Sequence, residues 1–323
     1  MLEHATDRPT PYRPQLKRLR RDRPPLALQD RDRAILRAVW LHRILTRKLL
    51  TSLFPPAGGN PEGDHTRLAR RLQAMFHAGL LDRLASPQTK ELVYALGPHG
   101  AKELLANGEP VEATDWAEKN RRLSPFFIEH ALVVARLRVA LSVALRDVHW
   151  IELERFERDG QKLRAEWTPK RGPRDERRVL RPDAFFVLRD HSAPEGRQRR
   201  AFAVEADRST MDLRRFAFKL SSYVDCYASA PGAFGVPRFL VLTVTKSPQR
   251  AENILALIRR EVPEEWRRLF LLTDEPRYAS QLPNVLSAIW RGADAPEAPR
   301  GIIPSPLPIR SSEKRLDASG EVL

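Results

Sequence analysis

Residues 181–207 read RPDAFFVLRDHSAPEGRQRRAFAVEAD, and this stretch decides the fold of the second half of the chain. Two apolar segments, Asp183–Leu188 and Ala201–Glu205, flank a polar turn region, which predicts two strands. If they form a simple antiparallel hairpin, Asp183 lies opposite Glu205. Directly opposed residues have Cβ atoms about 4.5–5.5 Å apart, so the two carboxylates should repel each other unless a cation compensates them.

A divalent metal ion would provide that compensation. Mg²⁺ favours sites with one or two carboxylates, waters and substrate phosphate. Asp207 follows Glu205 by two positions and points to the same face if the strand continues. The pattern therefore predicts that Asp183, Glu205 and Asp207 converge on Mg²⁺ or Mn²⁺.

The elements on either side of this pair complete a block at residues 123–290. Ser124-Pro125 opens a long, largely buried helix, because Pro suits the first helical position. The predicted order αβββαβαβ indicates an α/β sandwich around a mixed sheet. Residues 157–180 look charged and irregular. Besides the two strands above, the predicted elements are helices at Phe126–Arg146, Met211–Tyr227, Gln249–Arg260 and Leu286–Trp290, and strands at His149–Phe156, Phe239–Val244 and Leu269–Leu272.

The first block, residues 26–110, has three helical patterns followed by two short strands, which predicts a winged helix-turn-helix. In such proteins the third helix enters the major groove of DNA. Arg67, Arg70 and Arg71 share one face of that helix and would reach phosphates or guanine edges. The alternative is a solvated face on a winged helix that binds protein. Residues 111–122 are polar and are interpreted as a linker.

Both ends of the chain are predicted to be disordered. Residues 1–25 form a basic arm, which should add sequence-independent DNA affinity. Residues 291–323 are rich in proline and polar side chains. The cations of the arm expected to contact DNA are Lys17, Arg18, Arg20 and Arg21.

Charge and composition narrow the class of protein. The 323 residues carry a formal net charge of +15, which favours a polyanionic partner, although a high-GC genome that encodes Arg for Lys would also explain it. No apolar run approaches the roughly 20 residues of a membrane span, and the N-terminus lacks a signal-peptide core. The lone Cys226 excludes an internal disulfide and a multi-thiolate zinc site. We therefore expect a cytoplasmic protein.

The order of elements, together with Pro182-Asp183 and Glu205, resembles the PD-(D/E)xK nuclease superfamily. Over residues 26–290 the chain resembles more closely the replication-relaxation family of plasmid and mobile-element proteins, in which a winged helix precedes a nuclease-like domain. The motifs that carry this resemblance are Tyr94-Ala95-Leu96-Gly97-Pro98-His99-Gly100, Glu129-His130, Arg181-Pro182-Asp183-Ala184, and Glu205-Ala206-Asp207-Arg208-Ser209-Thr210 with Lys219 and Tyr223 downstream.

The resemblance implies that Asp183 and Glu205 bind the metal and that a lysine assists. The superfamily usually has Lys two residues after the second acid, where this chain has Asp207. Lys219, on the following helix, is a candidate substitute; the alternative is an ordinary surface lysine. Glu129 is either a further acid or part of a structural salt bridge. His130 is interpreted as a core histidine, and Asp207-Arg208 as a candidate internal ion pair.

Three hypotheses about function remain open at this point. The first is a DNA-binding protein with a metal-dependent endodeoxyribonuclease activity. The second is a non-enzymatic regulator, or a replication or DNA-transfer accessory factor, whose degenerate nuclease fold binds DNA or a partner. The third is an interaction module in a transfer or defence complex. The expected partners are double-stranded DNA and a protein of such a complex, and a homodimer is a further expectation.

Overall fold

The computed structural model describes residues 26–55, 61–85, 91–112, 114–158, 163–169, 177–208 and 212–303. The predicted basic arm, with Lys17, Arg18, Arg20 and Arg21, lies outside the described residues, as does the end of the chain after residue 303. No helix of the described segments has both the length and the apolar character that crossing a bilayer requires.

The N-terminal part contains the three helices and the strand pair expected from the sequence. A further short strand, β1, pairs with the hairpin and makes a three-stranded antiparallel sheet of order β1-β3-β2. The elements are α1 (Asp30–His42), β1 (Ile44–Thr46), α2 (Arg47–Leu53), α3 (Pro61–His77), β2 (Leu81–Ala85) and β3 (Leu92–Leu96).

The segment 111–122, predicted to be a linker, is partly folded. After α4 (Pro98–Ala106), a short helix α5 (Trp116–Arg121) packs against the first sheet. Trp116 is buried, and the Asn120 side chain donates to the backbone oxygen of Leu96 at 2.8 Å. The helix was not predicted because the segment is mostly polar, and only one tryptophan and one asparagine of the helix are buried.

Helix α6 (Pro125–Ala144) connects the two halves of the molecule. It begins where the sequence predicted, with the Ser124 hydroxyl accepting from the Phe127 amide at 3.1 Å. Its apolar residues surround the cylinder, so one side packs on the N-terminal elements and the other on the second sheet. Arg138 also donates to the backbone oxygen of Leu41 at 2.6 Å.

The second sheet is mixed and has six strands in the order β11-β10-β9-β8-β7-β4. Strands β8, β9 and β10 are parallel, and the other pairings are antiparallel. Helix α6 covers one face, and α7 and α8 cover the other. The strands are β4 (Ile151–Arg158), β7 (Ala184–Asp190), β8 (Arg199–Asp207), β9 (Leu240–Thr245), β10 (Phe270–Asp274) and β11 (Arg291–Gly292). The helices are α7 (Leu213–Ser229), α8 (Pro248–Glu261), α9 (Glu264–Arg267) and α10 (Pro276–Ala279).

Three predictions about this half were wrong in detail. The stretch 157–180 contains a two-stranded sheet of β5 (Ala165–Trp167) and β6 (Arg178–Leu180). The region from 291 onward is ordered as far as the structure describes it, because β11 pairs with β10 and Ile302 is buried. The predicted helix at Leu286–Trp290 is instead a 3-10 helix, Leu282–Leu286, followed by a turn and an isolated β-bridge between Trp290 and Arg300.

Arg71 does not share the solvent face of α3 with Arg67 and Arg70. Its guanidinium donates to Asp32 of α1, with Nε 2.8 Å from Oδ1, and to the backbone oxygen of Ala27 at 2.7 Å. Asp32 is almost completely buried, and this bridge holds its pKa below the ordinary value although burial opposes the shift. The prediction of a DNA-facing Arg71 is corrected to a role in joining α3 to α1.

We expect Arg71→Ala to lower the free energy of unfolding by about 2–4 kcal/mol, because Asp32 would remain buried without its partner. Urea unfolding followed by circular dichroism measures this. Arg70→Ala, at an exposed position on the same helix, is the matched control and should change stability by less than about 0.5 kcal/mol. Equal effects of the two substitutions would contradict a structural role for Arg71.

Candidate functional site

The hairpin register is the one predicted from the sequence. Ala184 pairs with Val204, and the Asp183 amide donates to the Val204 carbonyl at 2.9 Å. Asp183 directly precedes β7, and Glu205 lies one position beyond Val204 on β8. The two carboxylates therefore lie side by side at one end of the sheet.

Glu205 is enclosed by side chains of α7. The Lys219 ammonium donates to Glu205 Oε2 and the Tyr223 hydroxyl donates to Oε1. Lys219 and Tyr223 are four residues apart, so they share one helical face above the strand. The Lys219 side chain is only 21% exposed and the Glu205 side chain 5%. Lys219 is thus not an ordinary surface lysine. It forms a cluster with Glu205 and the neighbouring Asp183, called the acid cluster below.

Asp183 is held from two directions. Its Oδ2 accepts from the Ala206 amide at 2.8 Å, and its Oδ1 lies 3.4 Å from Nε2 of His130 on α6. The interpretation of His130 as a core histidine was wrong, because its ring is turned toward the carboxylate. The adjacent Glu-His pair was the only sequence signal for it, and the apolar surroundings of that pair favoured the other interpretation.

Asp207 does not join the two acids. It lies on the same face of β8 as Glu205, but α8 covers that point of the strand, and Arg250 binds both oxygens of Asp207 at 2.8 and 3.1 Å. Among the residues that the structure describes, no group of three His, Cys, Asp or Glu side chains could hold a metal ion. The predicted convergence of three carboxylates was wrong, since sequence spacing does not show which helix lies above each position.

The neighbouring charges form a separate structural network. Glu129 lies 3.5 Å from Arg208, and the other arm of Arg208 lies 3.7 Å from Glu275. Glu129 therefore takes the salt-bridge role and not that of a further acid. Asp207 binds Arg250 of α8, and Arg208 binds Glu129 of α6.

The two acids have opposite pKa shifts. Burial raises the pKa of Glu205 to about 7, with the charge of Asp183 adding to the shift and that of Lys219 opposing it. Burial also acts to raise the pKa of Asp183, but hydrogen bonding from His130 and the charge of Lys219 lower it below the ordinary value. Burial acts to lower the pKa of Lys219, and the two acids raise it above the ordinary value. Near neutral pH the cluster therefore has an ionised Asp183, a charged Lys219 and a Glu205 that exchanges a proton.

The exposed flank of α7 lies beside this cluster. Arg214, Arg215 and Phe218 are solvent-exposed, and the exposed fraction of Phe218 is 71%. Asp183 itself is 20% exposed at its side chain. A negatively charged ligand could therefore reach Asp183 and Lys219 across a basic surface.

A second basic surface lies in the N-terminal part. Arg67 and Arg70 are exposed on α3, as predicted. The structure adds Arg47 and Lys48, which are exposed in the first turn of α2 and line a groove of about 670 Å³ together with His65 of α3. These two cations were not predicted, because nothing in their sequence spacing distinguishes them from other surface charges.

Comparison with known proteins gives one match. The sequence model of the replication-relaxation family matches residues 36–234, a range that begins within α1, ends after α7 and includes every residue of the acid cluster. No curated protein and no solved structure matches the chain.

We expect Glu205→Gln to alter the pH dependence of stability in metal-free buffer. The folded state keeps the Glu205 proton up to about pH 7, whereas the unfolded chain releases it near 4.5, so acidification between these values stabilises the wild type. Relative to the variant, wild-type stability should rise by an amount on the order of 3 kcal/mol as the pH falls through that window.

Urea unfolding of both proteins at several pH values measures that difference. Glu264→Gln, at an exposed position on α9, controls for the removal of a carboxylate from the surface. A wild-type minus Glu205→Gln difference that stays constant across the window would contradict a raised pKa at Glu205.

Proposed function

We propose that this chain, which belongs to the replication-relaxation family, is a DNA-binding protein of a plasmid or mobile element with a nuclease-like site in its second half. The observation that carries the proposal is the cluster of Asp183, Glu205 and Lys219 at one end of β7 and β8. Two neighbouring carboxylates and a lysine are the residue types that the PD-(D/E)xK pattern requires. The lysine comes from α7 in place of the strand position that Asp207 occupies.

The N-terminal elements support duplex binding by a winged helix-turn-helix. In this proposal α3 enters the major groove, and the β2–β3 hairpin is the wing. Arg67 and Arg70 contact phosphates or guanine edges, and Arg47 and Lys48 contact the backbone beside them. Arg71 has no direct part, because Asp32 holds it.

A groove between the two halves would guide the DNA from α3 toward the acids. It has a volume of about 350 Å³ and includes Lys48 of α2 and Lys246 after β9. Lys48 also lines the groove beside α3, so the two grooves are neighbours. Both lysines are exposed, as a phosphate-tracking surface requires.

The acids fit a small divalent cation through their donor chemistry. Asp183 and Glu205 offer only carboxylate oxygens, which Mg²⁺ and Mn²⁺ prefer, and Glu205 is a buried acid whose proton a cation would replace. These two residues would hold the ion, which would supply Lewis acidity and lower the pKa of a bound water. Lys219 would stabilise negative charge that develops on the phosphate, and Tyr223 and His130 would orient the two acids.

The alternative is a non-enzymatic regulator or replication accessory factor. One observation favours it: both oxygens of Glu205 are already bound within the chain, by Lys219 and Tyr223, and Arg250 neutralises Asp207. Such a cluster is stable without metal. In that case the second half would bind DNA or a partner protein through its surface.

Replacing Arg67 and Arg70 together with Ala should weaken binding to duplex DNA and lower the salt slope of log K by about two units, because each phosphate contact releases counterions. Fluorescence anisotropy across a salt series measures both quantities. Lys102→Ala, which removes an exposed charge from α4, is the control. Unchanged affinity and slope in the double variant would remove α3 from the DNA interface.

Wild type should nick supercoiled plasmid DNA in millimolar Mn²⁺, and Asp183→Asn should abolish nicking. Asn retains an oxygen that can accept from the Ala206 amide, so this variant should keep its melting temperature without metal. Lys219→Ala should also lose nicking. Glu264→Gln, on the exposed surface, should retain it.

The regulator hypothesis predicts a different set of results. Wild type would then show no nicking and no Mn²⁺-dependent rise in melting temperature, and its DNA binding would be insensitive to Asp183→Asn. That pattern across several metals and DNA forms would overturn the nuclease proposal while leaving the duplex-binding proposal standing.

A further inference from the structure

A second cavity lies at the end of the main sheet opposite the acid cluster. Its volume is about 410 Å³, and it opens at the beginning of strands β8, β9 and β10. Arg200 on its wall and Glu205 are five residues apart on β8, which corresponds to about 17 Å along an extended strand. The cavity is therefore separate from the site described above.

Three arginines line this cavity, one on β8 and two just before β9 and β10. Phe202 pairs with Leu240, so Arg200 and Arg238 occupy matching positions two residues earlier on their chains. Arg268 follows α9 and precedes the first residue of β10 by two positions. Strand pairing together with the end of α9 thus brings the three arginines to one edge of the sheet.

These arginines lack compensating partners. In the part of the chain that the structure describes, Arg200, Arg238 and Arg268 make no hydrogen bond or ion pair through their side chains, and all three are exposed. A fourth arginine on the wall, Arg300, is neutralised by Asp294 at 3.1 Å. Like charges gathered at one cavity repel, so an anion bound there would be stabilised by all three.

The remaining lining of the cavity is apolar and aromatic. Tyr227 of α7 and Trp266 of α9 are half-buried, with their ring centroids 5.6 Å apart in an edge-to-face arrangement. The other lining residues are Leu240, Leu269, Leu271, Gly301 and Ile302. Cations at the rim and aromatic rings inside suit a ligand that has both a phosphate and a planar base.

We propose that this cavity binds a nucleotide unit of single-stranded DNA, with the arginines on the backbone phosphates and a base against Trp266 or Tyr227. Duplex DNA is a poorer fit, because its bases are stacked on each other and cannot reach rings inside a cavity. The inference rests on the proposed function for the identity of the nucleic acid, and it extends that function to a strand separated from the duplex.

The test uses the full chain in EDTA, so that cleavage plays no part. The ligand is a fluorescent oligothymidylate of about ten nucleotides. Combined replacement of Arg200, Arg238 and Arg268 with Ala should lower its affinity at least tenfold and reduce the salt slope by about two units, since each contact to a single strand contributes about 0.7. Arg121→Ala, at an exposed position on α5, should leave both unchanged.

Photocrosslinking identifies the aromatic contact independently of affinity. An oligonucleotide with 5-iododeoxyuridine should crosslink to Trp266 or Tyr227, as located by mass spectrometry, and the triple variant should lose this crosslink. Thymidine 5′-monophosphate in excess should compete only weakly, because it offers one phosphate. Competition by the monophosphate at the affinity of the oligonucleotide would overturn the assignment to a strand.

Two further outcomes would overturn the proposal: an unchanged affinity and slope in the triple variant, and crosslinks confined to the N-terminal half. The triple variant must keep the wild-type melting temperature for this comparison to count. If it does not, Trp266→Leu, which keeps the three arginines, replaces it. That variant should lose both the affinity for the oligonucleotide and the crosslink. Duplex binding and Mn²⁺ nicking measured on the same proteins show separately whether the proposed function holds.

Discussion

Helix α6 is the element on which the rest of the structure depends. Its apolar residues surround the whole cylinder, and a helix of that kind is stable only when it is covered on every side. The N-terminal sheet covers it through Ile128 and Leu132, and the second sheet covers it through Leu137 and Leu141. The two halves are therefore packed on a common helix. The first turns of this helix also carry His130 to Asp183, so the packing that joins the halves positions the site as well.

Burying the charged side chains at the carboxyl end of β8 is unfavourable in free energy. Removing carboxylates from water is unfavourable, and a buried ion pair seldom recovers more than it loses. Here Glu205 and Asp207, on one face of one strand, each have a cation from a different helix, Lys219 from α7 and Arg250 from α8. A hydrophobic pair would serve the fold as well. Buried charges with shifted pKa values are concentrated in ligand-binding sites of proteins, and the raised pKa of Glu205 is the property most sensitive to what binds there.

The main sheet presents chemically opposite surfaces at its two ends. The carboxyl ends of parallel strands are where open α/β sheets usually bind ligands, and the acids lie there. The amino ends carry Arg200, Arg238 and Arg268. One polyanionic strand could contact the arginines at one end while a phosphate lies near Lys219 at the other. The strong positive charge of the chain is thus concentrated in particular places and is not only a matter of composition.

The sequence by itself determined the elements and the register of the central hairpin. Two continuous apolar segments and the polar turn between them placed Asp183 opposite Glu205, because a simple antiparallel hairpin closed by that turn pairs these two positions. The cap at Ser124 and the three N-terminal helices were determined in the same local way. Only the tertiary structure decided the partner of each charge. Arg71 binds Asp32, Asp207 binds Arg250, and His130 lies against Asp183. These pairs form because helices from distant parts of the chain pack next to those positions. Periodicity shows which side of an element is buried, but it contains no information about which element lies across from it.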